Sequence, residues 1–428
     1  MKVLIKQATI VCPSSSFNGQ TKDILIDKGI ITKIDDSIIE KTDQLIEQPN
    51  LHVSIGWMDV FSNFCDPGFE YRETLETGTN AAAAGGFTDV MLLPNTNPVI
   101  HAKSQVEYIV QKAKSLAVNI YPVGAVTKNA ESNELAEMYD MRQSGAIAFS
   151  DGINAIQSSG LLIKALQYVK VFNGTIIQIP DDRSIAANGL MNEGIVSTQL
   201  GLPGKPAMAE ELMVARDIKL ARYADSRLHF TGVSTAKSLE YIRRTKETGI
   251  KVSCSVTPYH LFFTDEDLRT YDTNLKVNPP LRDKTNQAAL LTALLDGTVD
   301  CIASHHIPQN YDNKVCEFEY AKNGMIGLES LFGTLWSMVN SPLRQSSGFW
   351  SIAQLIEKLT VSPRTIFGLS VPVIEEKAVA CLTLFNPDAE YIFDEKMIVS
   401  KSKNSAFVGK QLKGKVMGII NGGKTYFN

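Results

Sequence analysis

The stretch "GFTDVMLLPN" (86–95), followed by "SQVEYIVQKAKSLA" (104–117), decides the fold class. The first segment is an apolar run of strand length, and the second repeats apolar residues at helical spacing. This alternation recurs about eight times, for example as "VNIYPVGAV" (118–126) before "ESNELAEMYDMRQSG" (131–145). The repeated order of a strand followed by a helix predicts an α/β fold, in which helices cover a parallel sheet. At this length it favours a (β/α)8 TIM barrel over an open doubly wound sheet.

The two ends of the chain have a different pattern. Short β-like runs separated by turn residues fill the start, as in "KVLIKQATIV" (2–11), and the last 50 or so residues, as in "AVACLTLFNP" (378–387). Two β-rich ends around one long middle predict a single accessory β domain formed by both termini. We place its two parts at residues 1–53 and 376–428, and the barrel at residues 54–375.

Composition narrows the class of protein. The 428 residues carry a formal net charge of -4, with 44% hydrophobic and 21% charged residues. This balance gives no overall attraction to nucleic acid or to an anionic membrane. The six cysteines are scattered without a C-x-x-C pair, which fits a reducing compartment. No apolar run reaches the ~18 residues of a membrane span, so we expect a cytoplasmic protein with neither a nucleic-acid nor a membrane partner.

The chemistry of such a barrel lies where its strands end. The informative segments at these ends are "IGWMDVFSNFCDPGFEYRETLETG" (55–78), "AFSDG" (148–152), "IIQIPDD" (176–182), "HFTGVST" (229–235) and "IASHHIPQ" (302–309). No G-x-G-x-x-G or Walker pattern follows a strand, which weakens a nucleotide-binding alternative. The Gly-rich "GLPGKP" (201–206) lacks phosphate-loop spacing and predicts a turn.

Several long motifs resemble dihydroorotase, in the long, type I-like form of the cyclic amidohydrolases. They are "DPGFEYRETLETGTNAAAAGGFTDVMLLPNTNPV" (66–99), "MNEGIVSTQLGLPGKPAMAEELMVARDIKLA" (191–221), "KVNPPLR" (276–282) and "DGTVDCIASHHIP" (296–308). The resemblance covers nearly the whole chain. It implies the TIM barrel of the amidohydrolase superfamily and a place in pyrimidine biosynthesis. It also implies one or two zinc ions at the barrel mouth, with which the family hydrolyses and closes the dihydroorotate ring.

Most of the metal ligands that the resemblance implies are replaced. The family has four ligand histidines and an aspartate that both ligates and acts as base. The residues at these positions here are Phe61, Asn63, Ile179, Gly232 and His305. Asp151 matches a carboxylate that family members place near the metals. A catalytic zinc takes about three protein ligands of nitrogen, sulfur or carboxylate type, and phenylalanine, isoleucine and glycine side chains provide none.

The positions implied to bind the substrate are also changed. The family holds the dihydroorotate carboxylate with an arginine, an asparagine and a histidine. Here Asn95 remains, while Cys65 replaces the arginine and Gln309 replaces the histidine. Asn278 keeps a further position that touches substrate. Loss of the arginine removes a bidentate pair in which each charge-assisted hydrogen bond contributes ~1.5–3 kcal/mol.

The losses fall in the site, while the scaffold motifs are almost intact. We therefore expect a dihydroorotase-like protein without zinc hydrolase activity and without a zinc cofactor. Phe61, Phe64 and Ile179 would then fill the space of the metal site. By the resemblance, such a chain acts as a structural or regulatory subunit, with aspartate transcarbamoylase as a partner and a homodimer as its own state.

Two alternatives remain from the sequence. One is an active dihydroorotase, or a related cyclic-amide hydrolase, with a metal site rebuilt from His305, Asp151 and one of two neighbouring carboxylates, Asp181 and Asp182. The other is a binding module for a small ligand at the mouth, using Asn95, Asn278 and Arg282. Cys65 could act as a nucleophile only with an activating base, for which His305 is available.

Overall fold

The N-terminal part forms a group of β-strands. In this computed structural model, which describes residues 1–339 and 350–428, they are β1 Lys2–Val11, β2 Thr21–Asp27, β3 Ile30–Asp35, β4 Gln44–Ile46 and β5 His52–Ile55. β1 pairs antiparallel with β2 and parallel with β4 and β5. Alternating buried isoleucines, such as Ile24 and Ile26 on β2, face a small core of their own.

The middle of the chain supplies the next strands. They are β6 Trp57–Ser62, β7 Phe87–Leu92, β8 Asn119–Gly124, β9 Ala148–Phe149, β10 Thr175–Gln178, β11 Met191–Asn192, β12 Gly204–Lys205, β13 Arg227–Phe230, β14 Val252–Val256 and β15 Cys301–Ile302. β11 and β12 pair only with each other, and the other eight run parallel in the order β15-β14-β13-β10-β9-β8-β7-β6. A parallel bridge between Ser62 and His306 brings the two edges together.

Helices follow the barrel strands along the chain. Their bounds are α1 Leu75–Ala84, α2 Lys103–Ala113, α3 Met138–Gln143, α4 Ser159–Lys170, α5 Arg183–Ala186, α6 Ile195–Leu200, α7 Met208–Ala224, α8 Ala236–Glu247, α9 Pro258–Phe262, α10 Lys284–Leu295, α11 Leu331–Val339, α12 Ile352–Leu359 and α13 Val361–Phe367. Most begin at a hydroxyl or carboxylate cap, as α8 does at Thr235, whose side chain accepts from Ser238 N. No helix in the two described segments is long and apolar enough to cross a membrane.

The C-terminal strands complete the first sheet. β16 Cys381–Ile392, β17 Gln411–Asn421 and β18 Lys424–Phe427 give the order β18-β17-β16-β5-β1-β2-β3, with β5 joining the two halves. The prediction of a (β/α)8 barrel with an accessory β domain from both termini is confirmed. The N-terminal strands of this sheet end at Ile55, and its C-terminal strands begin at Cys381.

Asp59 ties the first barrel strand to the last. Its buried carboxylate accepts from Ser304 N at 2.7 Å, Ser304 Oγ at 2.8 Å and Ser62 Oγ at 2.5 Å. With Phe61 N at 3.3 Å, four donors serve this one buried carboxylate and offset much of its desolvation. The backbone N–H of Asn63 also donates to His306 O at 2.9 Å. These bonds fix the ends of β6 and β15 beside each other, which positions Phe61 and His305 at the barrel mouth.

Candidate functional site at the barrel mouth

A cavity of about 270 Å³ opens at the carboxyl ends of the barrel strands. Its inner end is formed by Phe61, Ile179 and His305, which are almost fully buried. The charged and amide side chains that border it are Asn154, Asp181, Arg183, Lys205, Asn278 and Asn323. The cavity therefore combines an apolar inner end with a polar opening, the usual composition of a small-molecule site.

Phe61, on the first barrel strand, and Asn63, just after its end, both make structural contacts. The Phe61 ring stacks on the His305 imidazole with centroids 4.3 Å apart. Asn63 Oδ1 accepts from Cys65 N at 2.8 Å and so holds the following turn. Cys65, which has a φ of 59°, lies in that turn, and burial raises the pKa of its thiol to about 12. A thiol with that pKa stays protonated at neutral pH, which opposes a nucleophilic role.

His305 occupies the centre of the mouth, directly against Gly232. Both residues have left-handed backbone, with φ of 45° and 69°. A Cβ at Gly232 would lie 2.7 Å from His305 Cε1, so position 232 admits no side chain while the imidazole is in place. Nε2 of His305 is 2.8 Å from Thr231 Oγ1, and burial holds the imidazole pKa well below its usual range. The resemblance implies a ligand histidine at position 232 and a ligand aspartate at position 305. This chain has glycine at the first position and one neutral imidazole at the second.

Asp151 is engaged by a loop. Its carboxylate accepts from Thr127 N at 2.9 Å and from Thr127 Oγ1 at 2.6 Å. Burial raises its pKa despite these two bonds. Both carboxylate oxygens are therefore used in holding the turn at residue 127.

Asp181 has a lysine as its partner. Lys205 Nζ lies 2.9 Å from each of its carboxylate oxygens and 2.9 Å from Asn278 Oδ1, while Asn278 Nδ2 donates to Asp181 Oδ2 at 3.1 Å. Asp182 caps α5 by accepting from Ser184 N. Lys205 lies in the segment for which the sequence predicts only a turn, and its pairing joins residues far apart in the chain. The sequence feature that could have pointed to this pair is the lysine, a charged residue in a segment otherwise predicted to be a turn.

The remaining predicted binding residues stabilise loops. Asn95 donates to Asp151 O and accepts from Ile153 N, each at 3.0 Å. Gln309 Nε2 donates to Asn323 O at 2.9 Å. Arg282 is buried and donates to Ser234 Oγ, Asn192 Oδ1 and Lys205 O, with the Glu210 carboxylate 3.8 Å away. Of the three residues in the ligand-binding alternative, only Asn278 borders the cavity.

Three of the other histidines in the barrel also contact neighbouring side chains or carbonyl groups. His306 points away from His305 towards Glu73, with Nε2 3.6 Å from Glu73 Oε2. His260 contacts Thr257 Oγ1 and Pro279 O. His229 lies between Ser253 Oγ and Ser255 Oγ, at 2.8 and 3.1 Å, and burial lowers its pKa to about 3. The sequence predicts opposed directions for His305 and His306 from the alternation of side chains along a strand. In the structure both residues follow the end of β15 at Ile302, and the left-handed backbone of His305 contributes to their separation.

These residues do not fit a catalytic zinc. Within the described segments no group of three His, Cys, Asp or Glu side chains lies close enough to hold a metal ion. The carboxylates of the rebuilt-site alternative have separate partners, Thr127 for Asp151 and Lys205 for Asp181. A zinc ion at the mouth would need ligands that this arrangement keeps apart.

Comparisons with known proteins agree on one family. The model of the family described as dihydro-orotase-like matches residues 52–238. The dihydroorotase of Acetivibrio thermocellus is 40% identical over 422 residues, 98% of this chain and 98% of that protein. The dihydroorotase of Pelotomaculum thermopropionicum is 40% identical over 424 residues, 99% of this chain and 98% of that protein. The resemblance deduced from the motifs is confirmed.

Solved structures support the fold. The L-hydantoinase (dihydropyrimidinase) of Arthrobacter aurescens superposes with a TM-score of 0.82 at 21% identity, covering 99% of this chain and 95% of that one. The dihydropyrimidinase of Brevibacillus agri gives a TM-score of 0.80 at 20% identity, covering 100% and 95%. At such identities the likeness concerns the architecture.

The contact between His305 and Gly232 predicts the stability of one variant. Gly232→Ala forces a Cβ onto the imidazole and also places alanine at positive φ, so the free energy of unfolding should fall by about 2–4 kcal/mol. Gly201→Ala is the matched control, because Gly201 has a φ of 66° and nothing within 4 Å of its Cβ position; it should lose about 1 kcal/mol. Urea denaturation measures both.

The pairing of the two residues can be tested in the same way. In a His305→Ala background the steric part of the Gly232→Ala loss should disappear, leaving a loss similar to that of Gly201→Ala. Equal losses for Gly232→Ala in both backgrounds would mean that the imidazole does not occupy the space beside Gly232.

Proposed function

This chain belongs to the dihydroorotase family, and we propose that it serves pyrimidine biosynthesis as a member without zinc hydrolase activity. The observation that carries the proposal is the His305 imidazole stacked on Phe61 and packed against Gly232. Family hydrolysis needs a zinc-bound water and a carboxylate base. Phe61, Gly232 and His305 together offer one neutral imidazole and no carboxylate. These residues therefore supply neither the set of metal ligands nor the base.

Substrate recognition supports the same proposal. A dihydroorotate carboxylate requires a charged partner to offset its desolvation on entering the mouth. Cys65 replaces the arginine that the resemblance implies, and it is buried and protonated. Gln309 replaces the implied histidine, and its amide is bonded to Asn323 O. The chain therefore lacks the family's means of orienting this substrate.

We infer a structural or regulatory role from the contrast between site and scaffold. The chain matches its dihydroorotase relatives from end to end, and glycines occupy positions where a side chain would collide with backbone. A Cβ at Gly85, for example, would lie 2.3 Å from Leu328 O. An intact scaffold of this kind supports a function that needs the folded surface. Aspartate transcarbamoylase as partner and a homodimer as the assembly are parts of this proposal.

The second candidate is an ordinary, active dihydroorotase. The specific observation in its favour is that the relatives at 40% identity are named dihydroorotase. It would need Lys205 to release Asp181, and His305 to leave its contact with Thr231, before a metal site could assemble from them.

Turnover of dihydroorotate separates the two candidates. Protein purified without chelator and supplied with zinc should hydrolyse dihydroorotate no faster than the buffer alone, because no metal-bound water is formed. The dihydroorotase of Acetivibrio thermocellus, assayed in parallel, is the positive control. Turnover above background that is lost in His305→Ala would support the active enzyme and overturn our proposal.

The subunit role is tested by co-purification. The tagged full chain, expressed in its own cells, should retain aspartate transcarbamoylase at a fixed ratio through size-exclusion chromatography. The measurement is the elution volume of aspartate transcarbamoylase activity with and without this chain. An elution volume unaltered by deletion of the chain would rule out this partner.

A further inference from the structure

A second cavity, of about 430 Å³, lies outside the barrel mouth. Its walls are three loops of the barrel and the segment 393–410, which joins β16 to β17. Among the described residues it shares no lining residue with the mouth cavity, and Gln309 is the one implied substrate position that borders it. We call it the lysine cavity, after its lining residues Lys314, Lys401 and Lys403.

The loop between β16 and β17 supplies two of these lysines, and both are exposed. Lys401 Nζ donates to Glu70 O at 2.7 Å, while Lys403 Nζ donates to Ile398 O at 2.6 Å and to Ser400 O at 3.0 Å. Each ammonium group therefore keeps at least one hydrogen for a ligand. Within the described segments no carboxylate oxygen lies within 4 Å of either nitrogen, so neither charge is paired.

Lys314 adds a positive charge that is fixed in place. It is 6% exposed, and its ammonium group donates to Thr273 O, Lys276 O and Lys322 O. Burial lowers the pKa of this group to about 7, and Asp272 offsets only part of the shift. An anion bound in the cavity would raise that pKa again. The three lysines together therefore favour an anionic ligand.

Exposed aromatic rings border the same cavity. Tyr71 is 56% exposed and Tyr311 is 75% exposed, although both line it. The guanidinium of Arg72 lies 5.4 Å from the centroid of the Tyr71 ring and brings a further positive charge close to this wall. Aromatic rings beside cations are the arrangement on which proteins stack nucleic-acid bases.

One carboxylate also lines the cavity. Glu395 is exposed at the start of a short 3-10 helix, Glu395–Met397. No lysine or arginine nitrogen of the described residues lies within 4 Å of its oxygens. A free carboxylate would repel a bare anion, but it can accept hydrogen bonds from the hydroxyls of a ribose, as acidic residues do in dinucleotide sites. The ligand that suits all three kinds of group carries a negative charge, a ring and a sugar.

We propose that the lysine cavity binds a nucleoside monophosphate. Lys401 and Lys403 donate to the phosphate, and Lys314 adds its charge. Tyr71 and Tyr311 provide the rings for stacking on the base, while Glu395 accepts from the ribose hydroxyls. A volume of about 430 Å³ lies in the range of small-molecule sites. This inference goes beyond the proposed function and holds whether or not the barrel mouth binds zinc.

Calorimetric titration of the full chain tests the proposal with matched probes. Adenosine monophosphate and uridine monophosphate should bind with a Kd of about 1 mM or below. Adenosine and uridine lack the phosphate, and ribose 5-phosphate lacks the base, so each should bind about tenfold more weakly. Nucleosides or ribose 5-phosphate as tight as the nucleotides, or no nucleotide binding up to about 10 mM, would overturn the proposal.

Three variants locate the binding. Lys401→Gln should weaken the binding of adenosine monophosphate about threefold or more, because it removes a charge from the phosphate. Glu395→Gln should also weaken it, since a charged acceptor for the ribose hydroxyls is lost. Lys424→Gln is the control: this lysine on β18 also donates to two backbone carbonyls, just before β8 and so at the opposite end of the barrel. It should leave the Kd unchanged, whereas unaltered affinity in both Lys401→Gln and Glu395→Gln would contradict the proposal.

The same protein sample separates this inference from the proposed function. Dihydroorotate turnover reports on the proposed function, and nucleotide binding reports on the lysine cavity. An inactive protein that binds no nucleotide loses only the nucleotide site. An active protein whose nucleotide binding depends on Lys401 and Glu395 loses the proposed function and retains the nucleotide site.

Discussion

The imidazole of His305 packed against Gly232 and stacked on Phe61 determines the chemistry of the barrel mouth. One ring occupies the space next to two positions where the family has metal ligands. Its presence requires a residue without a side chain at position 232, and its Nε2 is held by Thr231. Since the ring is buried and its pKa lies well below the usual range, the charge of a metal site is replaced by a neutral group. The imidazole at position 305 therefore limits which side chains can occupy the positions around it.

The two carboxylates Asp151 and Asp181 are bonded to other residues of the chain. Asp151 is bonded to Thr127, and Asp181 to Lys205 and Asn278. Each carboxylate thereby avoids the cost of a buried, unpaired charge. The pairing of Asp181 differs from that of Asp151 because it keeps a cation at the opening of the cavity. The carboxylates that could ligate a metal ion at the mouth are consequently engaged by other side chains.

The fold could be predicted from the sequence because its signals are local. The alternation of strand and helix patterns, and the β-like runs at both ends, repeat within windows of 10 to 15 residues or so. The replacements at Phe61, Ile179 and Gly232 were also visible, since each is a residue type that cannot ligate a metal. The partners of Asp181 and Asn95 could not be predicted, because Lys205 and Ile153 approach them only after the barrel closes. The contact of His305 with Thr231 depends on the closed barrel in the same way.

The central claim is that this member of the dihydroorotase family does not bind zinc at its barrel mouth. Inductively coupled plasma mass spectrometry on the full chain, purified without chelator from zinc-supplemented cells, tests it most directly. Our account predicts zinc far below one ion per chain, with no change in His305→Ala. One or two zinc ions per chain, lost in His305→Ala, would contradict it, because the imidazole would then be a ligand and would no longer fill the place of one.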